Sequence, residues 1–419
     1  MTQPTADALT VLVDARLISG EWGGVESVVS GLASGLSQLA GPERYLFLTH
    51  KHHDQWLRPF LGGAAEAVPI TADIGAATRR LKRQLKRAVP GLAGVWGNRP
   101  GLGRFEGGPP DLDGTVTRFG AHVVHLPLQA GFLTRVPTIY HPHDLQHLHL
   151  PQYFTPAQLR WRERWYRALV QRSAMVAVAS SWVKSDVERA FGIPSDRVRV
   201  VPWAPPTAAI VPLELPSSIA SRLPDRYVLY PAQTWPHKNH LGLIDGLHEL
   251  RARGVKVPLV CTGQTNEFQG RIMQRVREFD MDDQVVWLGF VAAQALPAIY
   301  RRATAVVIPT KFEAASGPLW EAFEAGVPAA CSNVTSLPEQ AGDAALIFDP
   351  DRPSEIAGAV ARLWTDADLR ATLAARGRRR VESLSWERTA RIFRAHYRRL
   401  AGRTLDDADR DLLRQPAYP

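Results

Sequence analysis

At 419 residues the chain is too long for one ordinary core, so two or three domains are expected. It is 45% hydrophobic and 22% charged, as globular proteins are, and its two cysteines exclude a disulfide scaffold and fit a reducing compartment. Much of the excess in the net charge of +9 is arginine on apparent helices, and no nucleic-acid recognition motif accompanies it.

In chain order, the N-terminal MTQPTADALT lacks the basic start and apolar stretch of a secretory signal. TVLVD (10–14) reads as a first strand, Gly23-Gly24 as a turn, and residues 25–39 as a helix. RYLFLT (44–49) is a second strand. Residues 78–90 form a basic helix in which Arg79, Arg80, Lys82, Arg83, Lys86 and Arg87 surround Leu81 and Leu85. Three readings stand: a solvated face of a packed helix, a patch for anionic lipid headgroups, or a nucleic-acid contact, which no recognition motif accompanies. Residues 89–120, rich in glycine and proline, read as a long loop. Strands at 122–128, 137–142, 175–181 and 197–203, with a helix at 159–174, complete this half. A linker at 203–225 has five prolines between Pro202 and Pro216. Alternation restarts with strands at 227–233, 257–263, 284–290, 303–309 and 345–350, and the chain closes on an amphipathic helix at 385–400. No run approaches the roughly 18 apolar residues that span a bilayer, so a soluble, cytoplasmic protein is expected. Two successive βα series imply an α/β protein of two Rossmann-like domains with a cleft between them: residues 1–204, residues 205–384, and a C-terminal helix and tail, 385–419, crossing back to the first.

Four constellations carry chemistry. WGGVES (22–27) has glycines that let backbone N–H groups approach a ligand, though a simple turn explains them equally well. HPHDLQHLHL (141–150) places His143 and Asp144 at a strand end. Its spacing fits no metal signature, which leaves a substrate contact by His143 or a plain loop. In YPAQTWPHKNHLGLI (230–244), Lys238 precedes a helix that Asn239 can cap, within reach of a phosphate at the helix start. The fourth is FEAASGPLWEAFEAGVPAACSN (312–333), in which Glu313 and Glu321 are seven residues apart around a small-residue turn. It reads as loop then helix, with Glu313 at a strand end and Glu321 in the first helical turn. Carboxylates suit hydroxyls and the helix start suits phosphate, so the predicted ligand is polyhydroxylated and phosphorylated.

The order GGVE, HD, P-x-KN, then E-x7-E followed by EAGVP, resembles the retaining glycosyltransferases of sequence family 4, with the two-Rossmann GT-B architecture. The resemblance runs nearly the whole chain, and YPAQTWPHKNH is similar to a branch with mannosyltransferases of bacterial polysaccharide assembly. It implies a nucleotide-diphosphate sugar as donor, GDP-mannose favoured and a UDP-sugar the alternative, no cofactor and no metal. The implied acceptor is a glycan or lipid-linked glycan, reached on the cytoplasmic face of the inner membrane if the basic helix binds lipid. Glu321 would bind the ribose hydroxyls, Glu313 hydroxyls of the transferred sugar, and Lys238 the leaving diphosphate. Ser316, Gly317 and Leu319 would meet the donor at the helix start, Gly24 would pack on the diphosphate, and His143 would touch the sugar near C6. Gly263–Phe268 and Phe290–Val291 would face the base. The family usually has Gly-Arg where this chain has Ala232-Gln233, so the diphosphate's arginine is missing. Gln233 supplies a neutral hydrogen bond at most, and Arg16 is a candidate replacement. Retention implies attack on the face the phosphate leaves, although a nucleophilic Glu313, as in two-carboxylate glycosidases, is the alternative. Three other readings stay open: a GT-B sugar-nucleotide epimerase, a catalytically inactive sugar-nucleotide binding module, and a nucleic-acid-binding protein.

Overall fold

The computed structural model describes residues 8–20, 23–70, 108–206, 210–211 and 213–418. The basic stretch with Arg79, Arg80, Lys82, Arg83, Lys86 and Arg87 lies outside the described residues. Two compact units are present. The first draws on Met1–Val178, Val187–Arg199 and Glu387–Gln415, the second on Ala179–Asp186, Val200–Trp386 and Pro416–Pro419.

The first sheet holds β1 (Thr10–Asp14), β2 (Arg44–His50), β3 (Ala65–Ile70), β4 (Val123–Leu126), β5 (Thr138–Tyr140), β6 (Met175–Val178) and β7 (Val198–Val200), in the order β3-β2-β1-β4-β5-β6-β7. The second holds β8 (Val228–Pro231), β9 (Leu259–Thr262), β10 (Val285–Gly289), β11 (Ala305–Ile308), β12 (Ala329–Ser332) and β13 (Ala345–Phe348), ordered β10-β9-β8-β11-β12-β13. Every neighbouring pair in the second sheet is parallel. Each order reverses at its centre, between β1 and β4 and between β8 and β11. That reversal opens a crevice at the carboxyl ends of those two strands, where doubly wound sheets bind ligands. Each half is therefore a Rossmann-like α/β unit, as the alternation predicts.

The strands are apolar throughout because both faces are covered. In and beside β8, Tyr227 and Leu229 join one core cluster, and Val228 and Tyr230 the other, on the two-residue period of a strand. Cys261 and Cys331 are buried there as free thiols, and burial pushes the Cys331 thiol up to about 12.

Seven helices matter below: α1 (Gly24–Ser37), α2 (Pro156–Arg172), α3 (His240–Ala252), α4 (Leu296–Arg302), α5 (Gly317–Ala325), α6 (Trp386–Leu400) and α7 (Asp407–Arg414). α2 starts earlier than its apolar periodicity suggests, because Thr155 and Gln158 form a reciprocal capping box and Pro156 takes the first position. α5 begins after Ser316 and ends at Gly326, whose φ of 68° is left-handed. α6 brings Phe393 and Tyr397 into the first unit's core, and its Arg398 reaches Glu43 Oε1 and Asp409 Oδ2 at 2.7 Å each. The strand β3 has no counterpart in the sequence reading. Pro69 within it argues against a strand, yet β3 is an edge, where a missing N–H is tolerated. Among the described residues, no helix is long and apolar enough to cross a membrane.

Candidate functional site

In the second unit, polar groups gather where the strand order reverses. The loop leaving β8 carries Gln233, Trp235 and Lys238, and the loop leaving β11 carries Glu313 and Ser316. The loops are tied by their backbones: Lys311 N–H donates to His237 O at 2.7 Å, and Thr310 Oγ1 to the same oxygen at 3.2 Å. Lys238 Nζ donates to Glu313 Oε1 at 2.5 Å, with only 21% and 12% of the two side chains exposed. The lysine backbone is fixed as well. Buried Tyr230 donates its hydroxyl to Lys238 O at 2.6 Å. Asn239, in the left-handed region at φ 57°, caps α3 by accepting from Gly242 N–H, and its amide donates to Pro350 O at 2.8 Å.

Glu313 is held from the β12 side. Its N–H donates to Thr335 Oγ1 at 3.0 Å, and its carbonyl accepts from Ser336 Oγ at 2.8 Å. Ser316 is fully buried, and its hydroxyl caps α5 by accepting from Leu319 N–H. The Leu319 amide, expected to meet the donor, thus donates within its own helix start, at 3.4 Å.

Glu321 is the fifth residue of α5, which puts it in the second turn instead of the first. The reason is the Ser316 cap: with 3.6 residues per turn, Gly317–Trp320 fill the first. Glu321 Oε2 accepts from the Tyr300 hydroxyl of α4 at 2.5 Å. Burial pushes the Glu321 carboxyl up to about 7; the Tyr300 bond opposes the rise and Glu324 adds to it.

Gln233 and Gly263 lie together. Gly263 has φ 136°, and a Cβ there would fall 2.5 Å from Ala232 O and 2.9 Å from Gln233 N, so only glycine lets the β9 loop lie against this peptide. The Trp235 indole N–H donates to Gln233 Oε1 at 2.6 Å.

The first unit is different. Gly24 opens α1 after Gly23 at φ 53°, and among the described residues a Cβ on Gly24 would meet nothing within 4 Å. Packing among the described residues thus does not require glycine there. Glu26 closes the loop below, accepting from Ser19 Oγ at 2.6 Å and Gly20 N–H at 2.7 Å. Arg16, the candidate substitute for the missing arginine, is gripped by both Asp14 oxygens at 2.7 and 2.8 Å, and its charge is already balanced. His143 is buried with φ 62°, and burial holds its imidazole below the usual range. Its Nε2 lies 2.8 Å from Pro127 O, a pure acceptor, so the neutral ring carries its proton on Nε2. Asp144 pairs with buried Arg162 at 3.0 Å and serves the fold. Behind His143, His125 Nε2 meets His141 Nε2 at 2.8 Å, and His125 Nδ1 meets the Tyr397 hydroxyl at 2.6 Å.

Tyr300, Trp235, Thr335 and Ser336 escaped the sequence reading. Only Trp235 left a local signal, two residues from Gln233; the others arrive by tertiary folding. Among the described residues, no group of three or more His, Cys, Asp or Glu side chains is placed to hold a metal ion.

Comparison with known proteins fits this geometry. Residues 22–204 match the model for Glycosyltransferase Family 4, and residues 214–380 match that for glycosyl transferases group 1. O-antigen chain mannosyltransferase B of Escherichia coli is 29% identical over 61% of this chain and 68% of that protein. The MMP alpha-(1->4)-mannosyltransferase of Mycolicibacterium hassiacum is 26% identical over 55% of this chain, and the match spans only 57% of that protein. Among solved structures, Anabaena HepE in complex with UDP and glucose superposes with a TM-score of 0.66 at 16% identity, covering 93% of this chain and 99% of that one.

Proposed function

We propose that this chain, which belongs to the family 4 glycosyltransferases of GT-B fold, transfers mannose with retention from GDP-mannose to a glycan or lipid-linked glycan in polysaccharide assembly. The mannosyl assignment is supported by the two mannosyltransferase relatives, and the nucleotide-sugar donor by the UDP bound to the HepE neighbour.

The observation that carries the reading is the Lys238–Glu313 pair, 2.5 Å apart where the second sheet reverses, beside the start of α5. Breaking a glycosyl–phosphate bond builds positive character on the sugar and negative charge on the diphosphate. A fixed ammonium and helix-start amides stabilise that charge without reorganising during the reaction. Lys238 has three N–H donors and gives one to Glu313, which leaves two for phosphate oxygens. Glu313, accepting from Lys238, turns toward hydroxyls of the sugar, and Glu321 receives the ribose hydroxyls. Holding the acceptor hydroxyl in line supplies the effective-concentration gain. The departing phosphate takes the acceptor's proton, so no separate protein base is needed. In the same reading Gly24 and His143 keep their donor roles, metal is not required, and the basic stretch at 78–90 serves an anionic membrane surface on the cytoplasmic side.

The test is turnover of the full chain with a panel of guanosine and uridine diphosphate sugars, the product's anomeric configuration read by NMR with and without EDTA. GDP-mannose should give the fastest nucleotide release and an α-linked product, unchanged by chelation. An inverted product sinks the retaining mechanism, loss with EDTA sinks the metal-independent one, and faster use of a uridine donor sinks the donor assignment.

A further inference from the structure

We propose that Trp235 is a positioning residue that locks the Gln233 carboxamide with its NH2 edge presented to the donor diphosphate, so that a neutral donor stands where the family pattern has arginine. The proposal rests on the donor reading above.

Four observations carry it. An indole N–H can only donate, so the Gln233 atom 2.6 Å from Trp235 Nε1 must be the carbonyl oxygen. That contact fixes which way the amide faces, and its NH2 edge points away from the indole. Gln233 Nε2 has no hydrogen-bond partner among the described residues, so two N–H donors stand open on the loop that also carries Lys238. The backbone beneath is rigid: Gly263 is pressed against the Ala232–Gln233 peptide, Thr234 Oγ1 accepts from Asn266 N–H at 2.8 Å, and Trp235 N–H donates to Gln233 O at 2.9 Å. Finally, Arg16, the candidate replacement for the arginine, is held by Asp14, so among the described residues it does not stand in for that second cation beside Lys238. An amide free to flip would offer its oxygen to phosphate half of the time and repel it. The indole removes that state, which matters because the pairing supplies hydrogen bonds without charge.

Calorimetry of the full chain with GDP, UDP and the matching monophosphates tests this. Trp235→Phe keeps the ring and loses the N–H. It should weaken diphosphate binding by about 3- to 10-fold, the worth of a net hydrogen bond, with monophosphate binding and the melting temperature unchanged. Gln233→Ala should lose a similar amount, and the double variant no more than Gln233→Ala alone. In a Gln233→Arg background, Trp235→Phe should cost nothing, because every guanidinium edge donates; this arm reads out even if one single variant folds poorly. Additive losses, or an unchanged diphosphate preference in Trp235→Phe, overturn the positioning role while wild-type diphosphate binding keeps the donor reading intact. If the wild type binds neither diphosphate, both fall.

Discussion

The two sheets reverse their strand order in the same way, yet among the described residues the charged groups at the two reversals are paired differently. At the ends of β8 and β11, Lys238 faces Glu313 from a separate loop, and each loop is anchored by its neighbours. At the end of β1, Arg16 pairs with Asp14, two residues before it in the chain, and its guanidinium also lies over the Phe132 ring at 5.2 Å. His143 sits one strand further out, after β5, with Nε2 spent on a carbonyl and a buried histidine pair behind it. The fold fixes where a ligand can sit; the pairing across loops or within one decides whether a charge remains usable. A cross-loop pair can open toward a ligand by shifting one side chain. A bidentate pair within one loop gains nothing by opening.

The largest expected effect separates the two arginine-like roles. Lys238→Ala should reduce transfer by on the order of 100-fold or more with the fold intact, as loss of an oxyanion-type donor does. Arg16→Ala should cost far less, because its charge is already cancelled by Asp14. Equal losses in initial-rate assays would erase the contrast between the sheets.

The next effect is in pH. With its carboxyl raised by burial from the ordinary 4.5 to about 7, Glu321 binds its proton more tightly folded than unfolded. Its contribution to stability is therefore fully present below about 4.5 and is lost as pH rises through about 7. Ribose hydroxyls need the ionised form, so donor binding runs the other way. Affinity for an intact nucleotide sugar, whose diphosphate does not titrate near neutrality, should fall by up to about tenfold per unit below pH 7. Glu321→Gln should flatten that profile. Tyr300→Phe removes the opposing hydrogen bond and should move the midpoint up. A wild-type profile flat between pH 5.5 and 8 in calorimetry would exclude the ribose role.

The smallest effect sharpens the first unit. Ala at Gly24 meets no described residue and favours a helix start, so the melting temperature should hold or rise slightly. Transfer should nonetheless fall if a diphosphate packs there. An unchanged rate would leave Gly24 a simple turn residue.

Much of this was legible from residue pattern alone. Apolar β-branched runs marked most strands, and the Gly-Pro start and Gly326 end of α5 follow from backbone preferences that need no tertiary context. The E-x7-E spacing placed Glu313 in a loop and Glu321 on a helix, but one turn too early, because the cap at Ser316 depends on its burial beside Gln340. Local chemistry also hid things: Pro69 disguised an edge strand, and Thr155 with Gln158 began a helix before its periodicity did. What escaped entirely was the partnership of distant side chains. Tyr300 reaches Glu321 only because α4 packs near α5, and Thr335 and Ser336 reach Glu313 only because β12 lies beside β11. A linear pattern names the reacting groups and leaves out the neighbours that set their charge and aim.

Because Phe393, Tyr397 and Arg398 complete the first unit from near the end of the chain, order of synthesis matters. On a ribosome adding about 5–20 residues per second, the N-terminal sheet emerges roughly ten seconds or more before the helix that closes its core. During that wait it exposes the apolar seat of α6, a natural place for a chaperone to hold the nascent protein.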